Sequence, residues 1–302
     1  MEIRTLRYFL TVAREGSLVR AAKVLYVTQP ALSRQLKGLE DELGCKLFER
    51  ESHGISLTEK GRLLKQRAED ILQMTDKTVS ELSSPVDVVA GDVLIGVPGT
   101  YASRFVARAA CSIKERYPGI RYRLYDGNSE DFIDPLDTGI LDFALLIQPA
   151  DLSKYHHLHV PGFDTWGLLV RKDNPLAEKE AITAADLIGE PLIFSEQPMV
   201  QTSVPDLFFE WFGDGFDQLT IVGTYNLTFN ATLFAAEGFG SVLSLEKQLR
   251  VDEAEVLCFR PFEPRLEAGA DIVWKKHRAF SPAAAAFLEA LKAESARQDL
   301  PG

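Results

Sequence analysis

Residues 21–36 read AAKVLYVTQPALSRQL, and this stretch decides how the N-terminal part of the chain folds. Its apolar residues recur at helical spacing in two blocks, which predicts two short helices joined by a tight turn. Thr28 is a good N-cap for the second helix. Pro30 falls in the first turn of that helix, where a missing N–H costs nothing.

The second of these helices has an apolar face and a polar face. Its leucines recur every three or four residues from Leu32 to Leu43 and are expected to face a core. A helix-turn-helix that enters the DNA major groove needs this division between a buried face and a hydrogen-bonding face. An ordinary small helical bundle with a solvated face is the alternative. The side chains that can bond base edges and phosphates are Gln29, Ser33, Arg34 and Lys37.

Further elements are predicted around this pair. A first amphipathic helix covers residues 3–15, and Ser17 caps the next helix, which runs to about Val24. The helix from Gln29 ends at Gly44. Short strands near 47–48 and 55–57 flank Glu51-Ser52-His53-Gly54 and predict a hairpin, or wing, that can touch the DNA backbone or minor groove. Residues 1–58 are therefore predicted to form a winged helix-turn-helix.

A longer helix is predicted after Thr58, over residues 59–84. A helix this long with an apolar stripe needs a partner, so we predict that it dimerises. Packing on its own domain is the alternative. Ser83-Ser84-Pro85 breaks the helix and begins a hinge over residues 85–91. The stripe consists of Leu64, Ala68, Ile71, Leu72, Thr75, Val79 and Leu82.

From Asp92 the pattern changes to alternating strands and helices. This βαβαβ order implies a parallel sheet with crossover helices. We predict two lobes with a cleft between them: lobe I from 92–162 and 267–302, and lobe II from 163–266. The predicted strands are 93–97, 120–125, 142–147, 167–170, 191–194, 219–222, 241–243 and 270–274, and the later helices are 205–212, 227–237 and 282–296.

Charge is unevenly distributed along the 302 residues, although the net charge of −11 is unusual for a DNA-binding protein. Residues 1–85 contain 14 Lys/Arg and 12 Asp/Glu, whereas residues 86–302 contain 19 and 32. Within residues 1–67 the balance is 13 to 8. Because salt screens charges over about 8–10 Å, a distant acidic domain does not prevent phosphate binding by a basic one.

Several classes of protein are disfavoured by the composition. No run of 18 apolar residues is present, and the N-terminus lacks the apolar core of a secretion signal, so we expect a cytoplasmic protein without membrane spans. Cys45, Cys111 and Cys258 are too sparse for a disulfide framework or a zinc finger. The segment His156-His157-Leu158-His159 is better explained as a solvated loop or strand start than as a metal site. We find no arrangement of residues that indicates catalysis, and no cofactor is expected.

The N-terminal 60 residues resemble the LysR-type transcriptional regulators. The matching residues include Thr28-Gln29-Pro30-Ala31-Leu32-Ser33-Arg34-Gln35, Leu39-Glu40, Leu43-Gly44, Leu47-Phe48, Arg50, Leu57-Thr58 and Gly61. The remainder matches the family's effector domain more loosely, through Pro118, Gly139 to Ala144 and Asn174 to Ala177. The implied fold is an α+β multidomain chain: a winged helix-turn-helix, a linker helix, and a two-lobed α/β effector domain like a periplasmic binding protein.

The resemblance also implies contacts and partners. The expected partner is double-stranded DNA, bound by a homodimer or homotetramer, with RNA polymerase as a further candidate. Position by position, Gln29, Pro30 and Ser33 would approach base edges, while Thr28, Arg34 and Lys37 anchor phosphates. The wing would use Arg50, Ser52 and His53, although the family often has an arginine near the wing tip where this chain has only His53.

A small-molecule site is predicted at strand ends, where helix N-termini converge. Hydroxyls, amides and helix dipoles suit a small polar metabolite such as a carboxylate, and the lack of a basic residue in the set also allows a neutral ligand. Ordinary loop and cap positions are the alternative for each residue. The candidates are Gly99, Thr100, Tyr101, Asn128, Ser129 and Gln148 in lobe I, and Gln201, Thr202, Ser203, Tyr225 and Asn226 in lobe II.

The leading hypothesis is therefore a sequence-specific DNA-binding transcriptional regulator whose activity is modulated by an effector between two lobes. A solute-binding or sensor protein with a winged helix that does not bind DNA is the main alternative, and a two-lobed transferase or other enzyme is a third.

Overall fold

The computed structural model of the protein describes residues 1–51, 54–83, 89–196, 207–247 and 255–298. The chain divides into two units, Met1–Ser83 and Ser84–Gly302. The linker helix predicted as a separate segment belongs to the first unit. Of the predicted hinge, residues 85–88 lie outside the described residues, and residues 90 and 91 are already part of a strand.

The N-terminal unit has the predicted winged helix-turn-helix order. Ser17 accepts a hydrogen bond from the Arg20 N–H at 3.4 Å and so caps α2. Thr28 occupies the N-cap of α3, as predicted, although its side chain makes no capping hydrogen bond. The elements are α1 (Ile3–Glu15), α2 (Leu18–Val24), α3 (Gln29–Leu43), β1 (Phe48–Glu51), β2 (Gly54–Leu57) and α4 (Glu59–Ser83).

One apolar core joins all four helices of this unit. Leu6 and Phe9 of α1 and Leu32 of α3 are fully or almost fully buried in it. Helix α4 contributes Ala68 and Leu72 to the same core, which places the first half of α4 against the unit's own helices. The alternative of packing on its own domain is therefore correct for this half of the helix.

The C-terminal unit alternates strands and helices, as predicted. None of the helices in the described ranges combines the length and apolar character that a membrane crossing needs. The elements are β3 (Ala90–Val97), α5 (Ser103–Ile113), β4 (Gly119–Asp126), α6 (Ser129–Thr138), β5 (Phe143–Ile147), β6 (Tyr155–Arg171), β7 (Pro191–Ser195), α7 (Leu207–Phe212), β8 (Thr220–Tyr225), α8 (Thr228–Ala236), β9 (Ser241–Leu245), β10 (Leu257–Pro261), β11 (Glu267–Lys275) and α9 (Pro282–Gln298).

A sheet with the strand order β4-β3-β5-β11-β6-β9-β7-β8 runs through both lobes. Strands β4, β3 and β5 are parallel, which confirms the predicted βαβαβ unit. The prediction was wrong for β6, which extends over residues 155–171 instead of beginning near Trp166. Its first part pairs with β11 and its last part with β9 and β10, so this one strand crosses the predicted lobe boundary at 162/163.

Each lobe has its own apolar core. In lobe I, Ile95, Phe143 and Phe287 are fully buried between the sheet and helices α5 and α9. In lobe II, Phe194 and Phe262 are fully buried on one side of the sheet, while α8 covers the other. The strand ends that lie between the two cores form the walls of a cleft between the lobes.

Candidate functional site

The polar face of α3 is open to solvent while its opposite face is buried. Gln29, Pro30, Arg34 and Lys37 are exposed and Ser33 is half-buried, whereas Leu32, Leu36 and Leu39 are in the core. Thr28 is exposed at the start of the helix. The helix therefore presents an amide, a hydroxyl and two cations on one side, which suits hydrogen bonds to base edges and phosphates.

The cations of this unit differ in how they are paired. In the described part of the chain, Arg34 and Lys37 make no ion pair, so both charges are available to a ligand. Lys46 is committed instead to Glu40, with Nζ 2.6 Å from the carboxylate. Two unpaired positive charges therefore lie on α3, at the positions that the resemblance assigns to phosphate contacts.

Glu40 connects α3 to the first wing strand. Its Oε1 accepts hydrogen bonds from the backbone N–H groups of Leu47 at 2.9 Å and Phe48 at 3.4 Å. Burial raises the pKa of Glu40, but the hydrogen bonds from Lys46, Leu47 and Phe48 outweigh this effect, so the pKa lies below its usual range. Glu40 is ionised at neutral pH and fixes the wing to the helix; the sequence analysis assigned it no role.

The wing is an antiparallel hairpin in which Glu51 faces Gly54. Its second strand is attached to the turn after α1, because the Ile55 N–H donates to the Gly16 carbonyl at 3.1 Å. Arg50 pairs with Ile55 in the ladder. Ser52, His53 and the side chain of Arg50 lie outside the described residues, so the predicted wing contacts stay predictions.

The stripe on α4 that we predicted to dimerise has two parts. Ala68 is 0% exposed and Leu72 is 9% exposed within the N-terminal unit, and Leu64 and Ile71 pack against the same core. Because Ala68 and Leu72 are covered by their own chain, assigning their side chains to a dimer contact was wrong. Farther along the helix, Thr75 is half-buried, but Val79 is 58% exposed and Leu82 is 82% exposed. Only this end of the stripe offers an open apolar surface.

The cleft of the C-terminal unit brings together candidates from both lobes. Gly99, Thr100 and Asn128 line it from lobe I, and Tyr225 and Asn226 line it from lobe II. The sequence analysis missed Ser195 and Thr228, which add hydroxyls, and the apolar side chains from the crossing strands. The cleft has a volume of about 40 Å³, which fits a small polar group. The missed apolar lining residues are Ile147, Trp166, Leu227 and Leu245.

Two of the hydroxyl-bearing residues that line the cleft are Thr100 and Tyr225. The Thr100 Oγ1 is buried and has no hydrogen-bond partner among the described residues. The Tyr225 hydroxyl donates to the Leu243 carbonyl at 2.7 Å. Burial raises the pKa of Tyr225 to about 12, and hydrogen bonds with Thr228, Ser244 and Ser195 only partly oppose this effect. Tyr225 is therefore a neutral phenol at physiological pH. Thr100 provides a buried hydroxyl whose hydrogen bond is not made by the described residues.

Two helix N-termini at the cleft are occupied by the protein's own carboxylates. The Ala102 N–H at the start of α5 bonds to Asp164, and the Asn128 N–H at the start of α6 donates to Asp131 at 2.8 Å. Burial raises the pKa of Asp164, although the bond from Ala102 and the charge of Lys247 favour its ionised form. The helix dipoles that we expected to attract a ligand are thus partly satisfied internally.

The remaining lobe I candidates lie outside the cleft lining. Tyr101 borders a neighbouring open pocket of about 520 Å³, where Arg104 and Lys247 lie 4.9 and 4.7 Å from its ring centroid. Ser129 is buried and does not line the cleft. The Gln148 side chain is used within the protein, because its Nε2 donates to Asp271 and its Oε1 accepts from the Ala150 N–H at 2.9 Å.

These placements correct two assignments, since Ser129 is buried and does not line the cleft, and the Gln148 side chain bonds within lobe I. The basic residues Arg104 and Lys247, which the sequence analysis did not place near the site, lie beside Tyr101. Gln201, Thr202 and Ser203 lie outside the described residues.

The three histidines begin β6, as the strand-start interpretation predicted. His156, His157 and His159 are exposed. His159 Nδ1 lies 3.4 Å from the Asp271 carboxylate. Within the described ranges, no group of three His, Cys, Asp or Glu side chains is arranged to hold a metal ion.

The comparisons with known proteins agree with this architecture. The family described as "Bacterial regulatory helix-turn-helix protein, lysR family" matches residues 3–62, and the "LysR substrate binding domain" matches residues 87–296. The uncharacterized HTH-type transcriptional regulator YybE of Bacillus subtilis is 30% identical over 294 residues, which cover 95% of this chain and 97% of that protein. The RuBisCO operon transcriptional regulator of Allochromatium vinosum is 32% identical over 306 residues, which cover 98% and 97%.

A solved structure supports the fold. The crystal structure of full-length CbnR complexed with its target DNA has a TM-score of 0.73 and 19% identity, and the match covers 97% of this chain and 100% of that one. The matched families account for both units described above. The chain therefore belongs to the LysR family of bacterial helix-turn-helix transcriptional regulators, with an N-terminal DNA-binding region and a C-terminal effector-binding domain.

Proposed function

We propose that this protein controls transcription by placing α3 in the major groove of an operator and by coupling this contact to a small molecule in the cleft. Gln29, Pro30 and Ser33 approach base edges, and Thr28, Arg34 and Lys37 hold phosphates. The observation that carries the proposal is the open face of α3, where two unpaired cations lie beside an amide and a hydroxyl while the opposite face is in the core.

The proposed effector is a small polar metabolite, with a small carboxylate as the leading class. In the described residues the cleft lining has no charged side chain, so neutral hydroxyls and backbone groups would bind the polar end of the ligand. The buried Thr100 Oγ1 supports this proposal, because a buried hydroxyl without a partner is unfavourable until a ligand bonds to it. A ligand that prefers one arrangement of the lobes would shift the population toward it. No catalytic step is part of the proposal.

The proposed active form is a homodimer or homotetramer. Val79 and Leu82 on α4 support a contact between copies, as do Phe229 and Phe234 on α8, which are 49% and 55% exposed. Exposed apolar side chains in groups are typical of interaction sites. Because the target would be chromosomal DNA, the protein would act in the cytoplasm, where RNA polymerase is a candidate partner.

DNA selection tests the first half of the proposal. The full chain is used to select duplexes from a randomised pool, and affinity for the selected duplex is measured over a range of salt concentrations. We expect Arg34→Ala to weaken binding and to reduce the slope of log affinity against log salt by about 1, because one phosphate contact is lost. Lys292→Ala, on an exposed face of α9, is the charge-matched control. Equal affinity for selected and random duplexes would refute the assignment of function.

A thermal-shift screen of metabolites tests the second half. A ligand that binds the folded state raises the apparent melting temperature by mass action. We expect hits among small carboxylates, and we expect Thr100→Val to abolish the shift while leaving the unliganded protein folded. A shift of the same size in the Thr100→Val variant would place the ligand elsewhere.

A further inference from the structure

The turn of the helix-turn-helix contains a tyrosine in a conformation that normally belongs to glycine. Helix α2 ends in a Schellman motif: the Val27 N–H donates to the Ala22 carbonyl at 3.0 Å, and the Tyr26 N–H donates to the Lys23 carbonyl at 3.3 Å. This motif requires a left-handed residue at the position of Tyr26, whose φ is +55°. Glycine is the usual residue there, because a side chain crowds the backbone at positive φ.

The same unit uses glycine at its two comparable helix ends. Helix α1 ends at Gly16 with φ +58°, and helix α3 ends at Gly44 with φ +65°. The three ends have nearly the same backbone conformation, yet only the end that leads into α3 has a bulky residue. The choice of tyrosine therefore does not follow from the backbone geometry.

Packing does not explain the tyrosine either. Tyr26 is 96% exposed, so its ring buries almost no surface within the N-terminal unit. The next residue, Val27, provides the apolar contact of the turn by packing against the core. Tyr26 is thus both strained and solvent-exposed, and an outlier of this kind points to a functional use of the side chain.

The position of Tyr26 indicates what the side chain would meet. It comes two residues before Thr28, the N-cap of α3, and three before Gln29. When a recognition helix enters the major groove, the helix before it crosses the sugar–phosphate backbone, so the turn that joins the two helices lies near the edge of the groove. A phenol is a neutral hydrogen-bond donor that can reach a phosphate oxygen from this place.

We propose that Tyr26 is a DNA-contacting residue whose hydroxyl donates a hydrogen bond to a phosphate at the edge of the groove that α3 occupies. This inference rests on the proposed function. The contact carries no sequence information, so it strengthens binding to all duplexes. Because the phenol is uncharged, it neutralises no phosphate and leaves the salt dependence of binding unchanged.

The test uses the full chain, a duplex selected from a randomised pool, and a random duplex of the same length. Tyr26→Phe removes only the hydroxyl and is expected to lower affinity for both duplexes by roughly threefold to tenfold, with an unchanged salt slope. Tyr117→Phe, a partly exposed tyrosine of the C-terminal unit, is the matched control. Tyr26→Gly is expected to weaken binding at least as much while raising Tm by roughly 2–4 °C, because glycine relieves the strain.

Two results would overturn the proposal. Binding by Tyr26→Phe with wild-type affinity would show that the hydroxyl makes no contact. A lower Tm for Tyr26→Gly would show that the tyrosine is retained for folding. If the wild-type protein bound the selected and the random duplex equally well, the proposed function itself would be refuted. If the wild type preferred the selected duplex and Tyr26→Phe bound with the same affinity, only the proposed Tyr26 contact would be refuted.

Discussion

Tyr225 shows how one side chain can serve both the cleft and the fold. Its hydroxyl bonds to the Leu243 carbonyl at 2.7 Å, so the ring ties the end of β8 to β9 behind the cleft. We predict that Tyr225→Phe lowers the free energy of unfolding by about 1 kcal/mol, because the carbonyl loses its donor. Urea unfolding at pH 7 measures the difference, with Tyr117→Phe as the control.

The pH dependence of this loss follows from the pKa of Tyr225. Burial raises the pKa from 10.0 to about 12, so the folded state holds its proton more tightly than the unfolded state. The stabilisation is fully present below pH 10 and disappears as pH rises toward 12. The difference in the free energy of unfolding between Tyr225→Phe and the wild type should therefore be the same at pH 7 and at pH 9. A difference that already shrinks by pH 9 would contradict the assignment.

Gly61 is fixed by a close approach between α4 and the segment that leads into the wing. A Cβ on Gly61 would lie 2.1 Å from the Leu47 carbonyl oxygen, so a side chain cannot fit without moving one of the two elements. We predict that Gly61→Ala destabilises the N-terminal unit by roughly 1–3 kcal/mol. Gly38→Ala is a matched control, because nothing lies within 4 Å of its Cβ position, and alanine there should be neutral or stabilising. If Gly61→Ala and Gly38→Ala changed the melting temperature equally, the steric argument would be refuted.

Among the elements, the attachment of the wing to α3 depends on Glu40. We predict that Glu40→Ala destabilises the unit by roughly 1.5 kcal/mol and weakens DNA binding, because the Leu47 and Phe48 N–H groups lose their acceptor. Glu40→Gln keeps an acceptor oxygen and should recover part of the loss. Asp41→Asn removes a neighbouring charge without touching the wing and is the control. Circular dichroism on heating and DNA titration supply the two measurements.

The pH dependence of the Glu40 contribution has the opposite sign to that of Tyr225. The pKa of Glu40 is lowered in the folded state, so its stabilisation is present above the ordinary value of 4.5 and is lost as pH falls through the folded pKa. The stability difference between the wild type and Glu40→Ala should thus narrow in acid. A constant difference down to low pH would show that Glu40 acts through packing alone.

Local signals predicted the elements of the N-terminal unit well. Gly16 and Gly44 end α1 and α3 at positive φ, as their positions suggested. Strand β6 was only partly predicted, because the histidines allowed a strand start but the predicted strand began only near Trp166. The first part of the strand, which contains the histidines, is held by pairing with β11, and β11 begins 96 residues after Arg171. Pairing between segments this distant leaves no trace in local periodicity.

The cleft was predicted in part for a similar reason. Strand ends pointed to Thr100 and Tyr225, and both residues line the cleft, since clefts in such folds form at these ends. Gln148 follows a strand in the same way, but its side chain bonds to Asp271, 123 residues later. The stripe on α4 had helical spacing throughout, and only the fold distinguishes the buried Ala68 from the exposed Leu82.

At the scale of the whole molecule, we expect substitutions in the two halves of α4 to have different effects on assembly and folding. Leu82→Asp should lower the oligomeric state without unfolding the protein, because Leu82 is exposed in the single chain. Ala68→Asp should unfold the N-terminal unit, because it would bury a charge in the core. Light scattering after size exclusion measures the mass, and circular dichroism measures the fold. An unchanged mass for Leu82→Asp would remove this end of α4 from the proposed contact.

The continuity of β6 limits how the effector domain can be rebuilt. One strand contributes to the hydrogen-bond ladders of both lobes, with β11 on one side and β9 and β10 farther along. A chimera that exchanged one lobe for a relative's would have to be spliced inside this strand, where a slip of one residue turns every following side chain to the opposite face. Biosensor engineering should therefore transplant the C-terminal unit entire, with the splice placed N-terminal to β3.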